Sequence, residues 1–120
     1  MVLDILAVTL LAGSLVLILS AIRVNPYFHI IGRNREVPGQ KVVTAGPYRV
    51  VRHPAYSGGI ISWIAFAGLM RSRFYWILAA AGILYLVIRT AREDRRLFKS
   101  IAEYPAYAKQ VRYRVIPGIW

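Results

Sequence analysis

The stretch "RHPAYSGGIISWIAFAGLMRSRFYWILAAAGILYLVIRTARED", residues 52–94, decides the fold. It contains two apolar runs, 55–70 and 74–88, separated by the polar tripeptide 71–73. Pro54 is favourable in the first turn of a helix, where its missing N–H costs no hydrogen bond. Two helices joined by so short a turn run antiparallel, so the stretch predicts a hairpin that crosses a membrane at about 55–71 and 74–90. Tilting or local thinning of the bilayer would make up for the short length of each arm.

A third apolar run precedes the hairpin. Residues 3–22 are nearly continuous Leu, Val, Ile and Ala, and about 20 such residues span a hydrocarbon core of about 30 Å. A signal peptide is the alternative, but no basic segment precedes the run and it is long for the apolar part of such a peptide. With 58% hydrophobic residues, the chain is predicted to be an all-α, multi-pass membrane protein, with three transmembrane helices in a single domain, 1–120.

The distribution of charge predicts the orientation of the chain. The formal charge is +11, from 16 Lys and Arg against 5 Asp and Glu. Basic proteins can bind nucleic acid, but here six of these cations lie in residues 23–55, two in 71–73 and eight from residue 89 onward. They lie between and after apolar runs, as in cytoplasmic loops of membrane proteins, so nucleic acid is not an expected partner. The long loop and the tail are predicted to lie on the cytoplasmic side.

Two polar segments rich in aromatic residues, 40–56 and 89–117, flank the hairpin. Arg52 and His53 stand at the start of the first arm, and Arg89 and Glu93 follow the second. Because the arms are antiparallel, the segments are predicted to meet at one membrane face. Ionisable residues at membrane depth are costly and usually mark a site. We therefore expect His53 and Glu93 to share a pocket there.

Each of these residues has a structural alternative. Arg89 and Glu93 are four residues apart, so they could form an ion pair on a solvated helix face, or they could bind groups of opposite charge on a ligand. His53 could instead satisfy the open amides at the start of the second helix. A metal site is not expected, because His29 is the only other histidine and the chain has no cysteine.

The polar segments also contain tyrosines that could belong to the aromatic belt found at membrane interfaces. This alternative applies to Tyr48, Tyr56, Tyr104, Tyr107 and Tyr113. Within the tail, residues 91–100 can continue the last membrane helix into water. Pro105 then predicts a break or a new helix start.

Two blocks carry a family resemblance: "VVTAGPYRVVRHPAYSGG", residues 42–59, and "REDRRLFKSIAEYPAYAKQVRYRVIP", residues 92–117. The first resembles the G-P-Y-R-x-x-R-H-P-x-Y-x-G run of the isoprenylcysteine carboxyl methyltransferase family and its relatives, the phospholipid N-methyltransferases. The second resembles the acidic pair, the E-Y-x-x-Y run and the terminal I-P of that family, with Asp94 where a second Glu is usual. The upstream "NPYF", residues 25–28, also fits.

The resemblance implies a membrane methyltransferase that binds S-adenosylmethionine without a Rossmann domain, in keeping with the absence of a GxGxxG motif. It also implies roles for individual residues. Arg89 would orient the substrate, and Arg89 and Glu93 are the candidate catalytic residues. The residues implied in cofactor binding are Gln40, Lys41, Val42, Val43, Tyr48, His53, Pro54, Ala55, Tyr56 and Glu93.

The expected reaction is methylation of a lipid-linked or prenylated substrate, most specifically O-methylation of a carboxylate. Phospholipid N-methylation is one alternative. An NADPH-binding protein similar to sterol reductases is another, because "VRYRVIPGIW", residues 111–120, also resembles the end of those proteins. A non-catalytic membrane assembly protein is the third. Three helices make a thin bundle, which favours a homo-oligomer.

Overall fold

The computed structural model describes residues 1–28 and 38–120. In those residues the regular secondary structure is entirely helical, which confirms the all-α prediction. The helices are α1 (Val2–Val24), α2 (Pro54–Met70), α3 (Arg73–Ser100) and α4 (Tyr104–Gln110), and a short 3₁₀ helix, Gly46–Arg49, precedes α2. His29 and the part of the predicted interfacial loop from 29 to 37 lie outside the described residues.

Two of the three predicted membrane spans correspond to helices that are long and apolar enough to cross a bilayer. These are α1, with 23 residues, and α3, with 28. Helix α2 is apolar but has 17 residues, a length of about 25 Å against a hydrocarbon core of about 30 Å. Its crossing therefore stays a prediction.

The charged continuation of the third apolar run is helical as predicted, because α3 extends to Ser100 without interruption. A new helix, α4, then begins at Tyr104 with Pro105 in its first turn. Glycine does not stop α3. Instead the backbone of Ile101 becomes extended, and its N–H still donates to Leu97 O.

Helix α2 lies between α1 and α3 and packs against both. The face of α1 toward α2 carries the small buried residues Ala7, Ser14 and Ala21, which are seven apart. Ser14 Oγ lies 2.7 Å from Ser62 Oγ of α2, so the two hydroxyls form a hydrogen bond between the helices. Small residues allow this close approach. The large apolar residues of α1, such as Leu3 and Leu19, are exposed, as expected of a helix surrounded by lipid.

An ion pair joins the hairpin turn to the start of α1. Arg71 ends α2 with a left-handed backbone, φ 49°. Its guanidinium donates to both carboxylate oxygens of Asp4, at 2.6 and 2.7 Å. The pair is exposed, so it contributes little to stability, but it closes the end of the bundle opposite to the polar segments.

The tight contact between α1 and α2 at Gly58 allows a test of this packing. A Cβ atom added at Gly58 would lie 2.5 Å from Ile18 Cγ1 and 2.9 Å from the backbone oxygen of Ser14, so Gly58→Ala must push the helices apart. We expect a loss of about 1–3 kcal/mol in unfolding free energy, as for overpacked cores. The measurement is chemical denaturation in detergent micelles.

Gly68→Ala is the matched control, because Gly68 lies in the same helix and an added Cβ there meets nothing within 4 Å. Alanine has the higher helix propensity, so this variant should be as stable as the wild type or more stable. Equal destabilisation of both variants would contradict the close packing at Gly58.

Candidate functional site

The segment before α2 is tied to the far end of the chain by backbone hydrogen bonds. The N–H of Arg52 donates to Tyr113 O at 2.9 Å, and the N–H of His53 donates to Arg114 O at 2.8 Å. One turn into α2, Ser57 Oγ donates to Val115 O at 2.6 Å. The tail after α4 therefore runs alongside the start of α2 and fixes its position.

Asp94 is the centre of a buried polar cluster at this junction. Its side chain is 1% exposed and accepts hydrogen bonds from residues on three separate parts of the chain. Arg52 donates through Nε at 3.0 Å and Nη2 at 2.8 Å, and Arg114 Nε donates at 2.9 Å. Tyr104 Oη donates at 2.7 Å. His53 Nε2 lies 3.1 Å from Oδ1, and since a carboxylate only accepts, that nitrogen carries a hydrogen.

The electrostatics of the cluster follow from burial and from this one carboxylate. Burial by itself lowers the pKa of the Arg52 guanidinium, but the hydrogen bonds and charge of Asp94 outweigh it, so the net pKa is raised. Burial, then the hydrogen bond to Asp94, raises the pKa of Tyr104 well above its ordinary value. Arg52 is therefore charged and Tyr104 is a neutral donor. Arg52 Nη1 also donates to the carbonyls of Val111 and Arg112, so all three of its guanidinium nitrogens are engaged.

The neighbouring residue Glu93 belongs to a second, less buried group. Its Oε2 accepts a hydrogen bond of 2.6 Å from the Tyr56 hydroxyl. The same hydroxyl oxygen accepts a bond of 3.0 Å from Arg89 Nε, and Arg89 Nη1 donates to the Tyr85 hydroxyl at 3.0 Å. Tyr56 thus links the two candidate catalytic residues, Arg89 and Glu93.

A narrow cleft that encloses about 40 Å³ and is partly open to the surroundings lies between these groups. His53 and Glu93 both line it. Its walls combine aromatic rings, apolar side chains and a few polar groups, contributed by Asn25, Tyr27, Phe28, Gln40, Lys41, Val42, Val43, Tyr48, Arg52, His53, Ala55, Tyr56, Glu93, Leu97, Ile101, Tyr104 and Tyr107.

Most of the residues implied in cofactor binding therefore lie on the wall of one cleft: residues 40–43, Tyr48, His53, Ala55, Tyr56 and Glu93. Pro54 and Arg89 are not part of the wall. Pro54 is buried in the first turn of α2. Arg89 lies beside the cleft, where it contacts the ring of Tyr56, with its guanidinium carbon 5.8 Å from the ring centre.

His53 does satisfy amides at the start of α2, but through its backbone, since its carbonyl accepts from the N–H groups of Tyr56 and Ser57 at 3.1 and 3.2 Å. Its ring makes no bond to the helix amides and contacts Asp94 instead. Four of the tyrosines are not belt residues, because they are no more than 7% exposed. Their hydroxyls bond to protein groups, for example Tyr107 Oη to Tyr48 O at 2.6 Å. These four are Tyr48, Tyr56, Tyr104 and Tyr107. Tyr113 is 37% exposed.

Sequence reasoning missed the structural roles of Asp94 and Arg114 and the place of several residues on the cleft wall. Phe28 packs against Tyr56 with ring centres 6.4 Å apart, and Asn25 Nδ2 donates to the Tyr48 hydroxyl at 2.8 Å. The signals for Asp94 were its place in the acidic pair of the resembled family and its position among many arginines, which is also typical of a solvated helix face. The "NPYF" run offered a signal for Asn25 and Phe28.

Fold and cleft together define a class: a helical chain with two helices able to span a membrane and a narrow polar and aromatic cleft at one end of them. The chain belongs to the phospholipid methyltransferase family, whose sequence profile matches residues 2–101.

Comparison with curated proteins gives a relative with a different named activity. The chain is similar to the Delta(14)-sterol reductase erg24 of Schizosaccharomyces pombe, with 35% identity over 86 residues. The match covers 68% of this chain and 20% of the reductase, so the chain spans about a fifth of that relative's length. No solved structure matches the chain significantly.

The burial of the cluster around Asp94 predicts that removing its negative charge lowers the unfolding free energy. Asp94→Asn removes the charge that balances the buried Arg52, and breaking a buried ion pair from one side typically costs about 3–5 kcal/mol. We expect the unfolding free energy in detergent to fall by that order. Asp4→Asn is the same chemical change in the exposed pair with Arg71 and should have little effect. Similar unfolding curves for Asp94→Asn and the wild type would contradict the central role of Asp94.

Proposed function

We propose that the chain is an integral membrane methyltransferase that transfers a methyl group from S-adenosylmethionine to a lipid-linked substrate. Family membership supports methyl transfer. The observation that carries the rest is the lining of the cleft, in which a carboxylate, Glu93, and several aromatic rings lie together beside apolar helices. The substrate we favour is a carboxylate on a prenyl or other lipid chain, and phospholipid N-methylation is the alternative within the same family.

The lining of the cleft fits the chemistry of this cofactor. S-adenosylmethionine has a positively charged sulfur, an amino acid end and an adenosine end. Glu93 would attract the cationic part, because opposite charges in a partly dry cleft interact more strongly than in water. Lys41 lies on the same wall and would bind the carboxylate of the amino acid end. The rings of Phe28, Tyr104 and Tyr107 offer flat surfaces for the adenine.

The contribution of the chain to the reaction would be positioning and exclusion of water. When bound, S-adenosylmethionine supplies a methyl group that is already electrophilic. Holding a nucleophile in line with it can account for about 7–11 kcal/mol of rate enhancement. A carboxylate nucleophile needs no base, since it carries no proton to remove. An amine does need one, and Glu93 could then accept the proton.

Arg89 would orient the substrate from the edge of the cleft. Its guanidinium is held by the hydroxyls of Tyr56 and Tyr85, each at 3.0 Å. Tyr56 in turn contacts Glu93 at 2.6 Å. An anionic group of the substrate bound at Arg89 would therefore lie one tyrosine away from the carboxylate that binds the cofactor. The lipid tail would extend along the apolar helices.

We further propose that α2 is the third membrane span and that the cleft faces the cytoplasm. Helix α2 lies between two helices of membrane length and packs against both. The excess of Lys and Arg in the loop and the tail supports the cytoplasmic orientation. A second copy of the chain could complete the thin bundle.

An NADPH-dependent reductase is the second candidate function, favoured by the similarity to the yeast sterol reductase. NADPH carries several phosphate charges, which call for free basic groups in the site. Among the described residues, Lys41 and Arg52 are the Lys and Arg side chains on the wall. The guanidinium nitrogens of Arg52 already bond to Asp94 and to backbone carbonyls, which leaves Lys41 to meet several phosphate charges. With Glu93 on the same wall, the cleft suits a cation better than a polyanion.

Ligand binding tests the cofactor. Titration of the purified chain with S-adenosylhomocysteine and, separately, with NADPH is followed by calorimetry, and we expect a signal with the first alone. Tight NADPH binding without a homocysteine signal would overturn the methyltransferase proposal. Incubation in lipid with a labelled methyl donor, followed by extraction, then identifies the class of the methylated product.

The role of Glu93 predicts a charge-dependent affinity. Glu93→Gln keeps a similar shape but loses the negative charge, so the affinity for S-adenosylmethionine should fall by about 10-fold or more, since hydrogen bonds to charged groups contribute about 1.5–3 kcal/mol. Glu103→Gln is the control, because Glu103 is exposed and does not line the cleft. Equal affinities of the two variants would exclude Glu93 from cofactor binding.

The role of Arg89 predicts a different pattern. Arg89→Gln should raise the KM for the lipid substrate, or lower kcat/KM, by about 10-fold or more, while the affinity for S-adenosylmethionine stays within about 2-fold, since one charged hydrogen bond to the substrate is lost. Lys109→Gln, an exposed cation on α4, is the control. If Arg89→Gln lost affinity for S-adenosylmethionine and kept the KM for the lipid substrate, Arg89 would belong to cofactor binding and not to substrate binding.

A further inference from the structure

The outward face of α3 carries a stripe in which apolar residues give way to basic ones. Seven exposed residues follow one another at intervals of four and three, which places them along one side of the helix. The apolar half of this stripe consists of Ile77, Ala81, Leu84 and Ile88, and the basic half consists of Arg92, Arg95 and Lys99.

The residues of the apolar half are exposed on the outside of the protein. Ile77 is 71% exposed, Leu84 59% and Ile88 43%. The opposite face of α3 is the one that packs against the rest of the chain, through buried residues such as Ala79, Thr90 and Asp94. The stripe is therefore separate from the cleft, and none of its residues lines the cleft wall.

The basic half borders a shallow surface depression, which Arg96 and Ser100 complete. In the described residues, 1–28 and 38–120, most of the acidic side chains bond to groups outside the stripe. Asp4 pairs with Arg71 at the far end, Glu93 accepts from Tyr56, and Asp94 is buried among its donors. A dense positive charge thus follows directly on an exposed apolar surface.

The apolar half of the stripe takes up most of the predicted membrane span 74–90. From Ile77 to Ile88 the helix rises about 16 Å, so an acyl chain of one leaflet, about half of a hydrocarbon core of about 30 Å, can lie along it. The basic half begins at Arg92, about 6 Å further along, and continues for about 10 Å. That is the depth of the lipid headgroups and of the water next to them.

We propose that the stripe binds one anionic phospholipid, with its phosphate on the basic half and an acyl chain along the apolar half. An exposed apolar surface followed by a basic one is complementary to an amphiphile. The guanidinium groups of Arg92 and Arg95 are suited to binding phosphate oxygens. This site lies in the leaflet next to the cleft. It is independent of the proposed methyl transfer, because the bound lipid is neither the cofactor nor the group that reacts.

The test compares two lipids on the full chain. The protein is reconstituted in phosphatidylcholine vesicles with a trace of spin-labelled phosphatidylglycerol or of the matching spin-labelled phosphatidylcholine. Electron paramagnetic resonance gives the motionally restricted fraction of each lipid, and hence the preference for the anionic one. We expect a clear preference in the wild type. A basic side chain near the membrane surface changes the association by roughly 5-fold before screening.

Two variants with equal net charge locate the preference. Arg92→Gln, Arg95→Gln and Lys99→Gln together should lower the preference by about 10-fold or more at moderate salt. Arg23→Gln, Arg73→Gln and Lys109→Gln together remove three exposed cations elsewhere and should leave it within about 2-fold. Circular dichroism confirms that both variants remain helical.

Two outcomes would overturn the proposal. The wild type could show no preference for the anionic lipid. Alternatively, both triple variants could lose the preference equally, which would reveal a general attraction to net charge.

Discussion

The buried carboxylate of Asp94 is the constraint on which the polar end of this protein depends. It lies on α3, yet its hydrogen-bond donors come from the segment before α2, from α4 and from the tail. Moving a charge out of water is unfavourable in free energy. The hydrogen bonds and opposite charges offset this only when all of these donors are in place at once. Each of the four parts of the chain is therefore held in position by the other three, through one side chain that is 1% exposed.

The cleft is a consequence of this arrangement. Arg52 and His53 are locked against Asp94, which fixes the start of α2 and thereby the direction of Tyr56. The preceding residue of α3, Glu93, points to the other side and accepts a hydrogen bond of 2.6 Å from the Tyr56 hydroxyl. Two adjacent acidic residues thus have different surroundings. Asp94 is buried among its donors, whereas Glu93 lies on the wall of the cleft.

The sequence was sufficient for the parts of the fold that depend on local pattern. Apolar runs and the short polar turn predict α1, α2 and α3, and the antiparallel hairpin predicts that His53 and Glu93 approach each other. The sequence was insufficient where residues that touch each other lie far apart in the chain. The burial of Asp94 depends on side-chain donors distant in the chain, such as Arg52, 42 residues before it, and Arg114, 20 residues after it. The tyrosines were ambiguous for a related reason, since an amphipathic ring suits a membrane interface and a protein interior equally well. The third span is undecided because 17 residues lie between the usual lengths of buried and spanning helices.

The backbone bonds from Arg52 and His53 to Tyr113 and Arg114 have a consequence for biosynthesis. The ribosome makes α1, α2 and α3 before these carbonyl acceptors exist. Until residues 111–115 have been made, Arg52 lacks its carbonyl acceptors on Val111 and Arg112, and Asp94 lacks its donor Arg114. The polar end of the protein therefore reaches its final arrangement only after the tail has been synthesised.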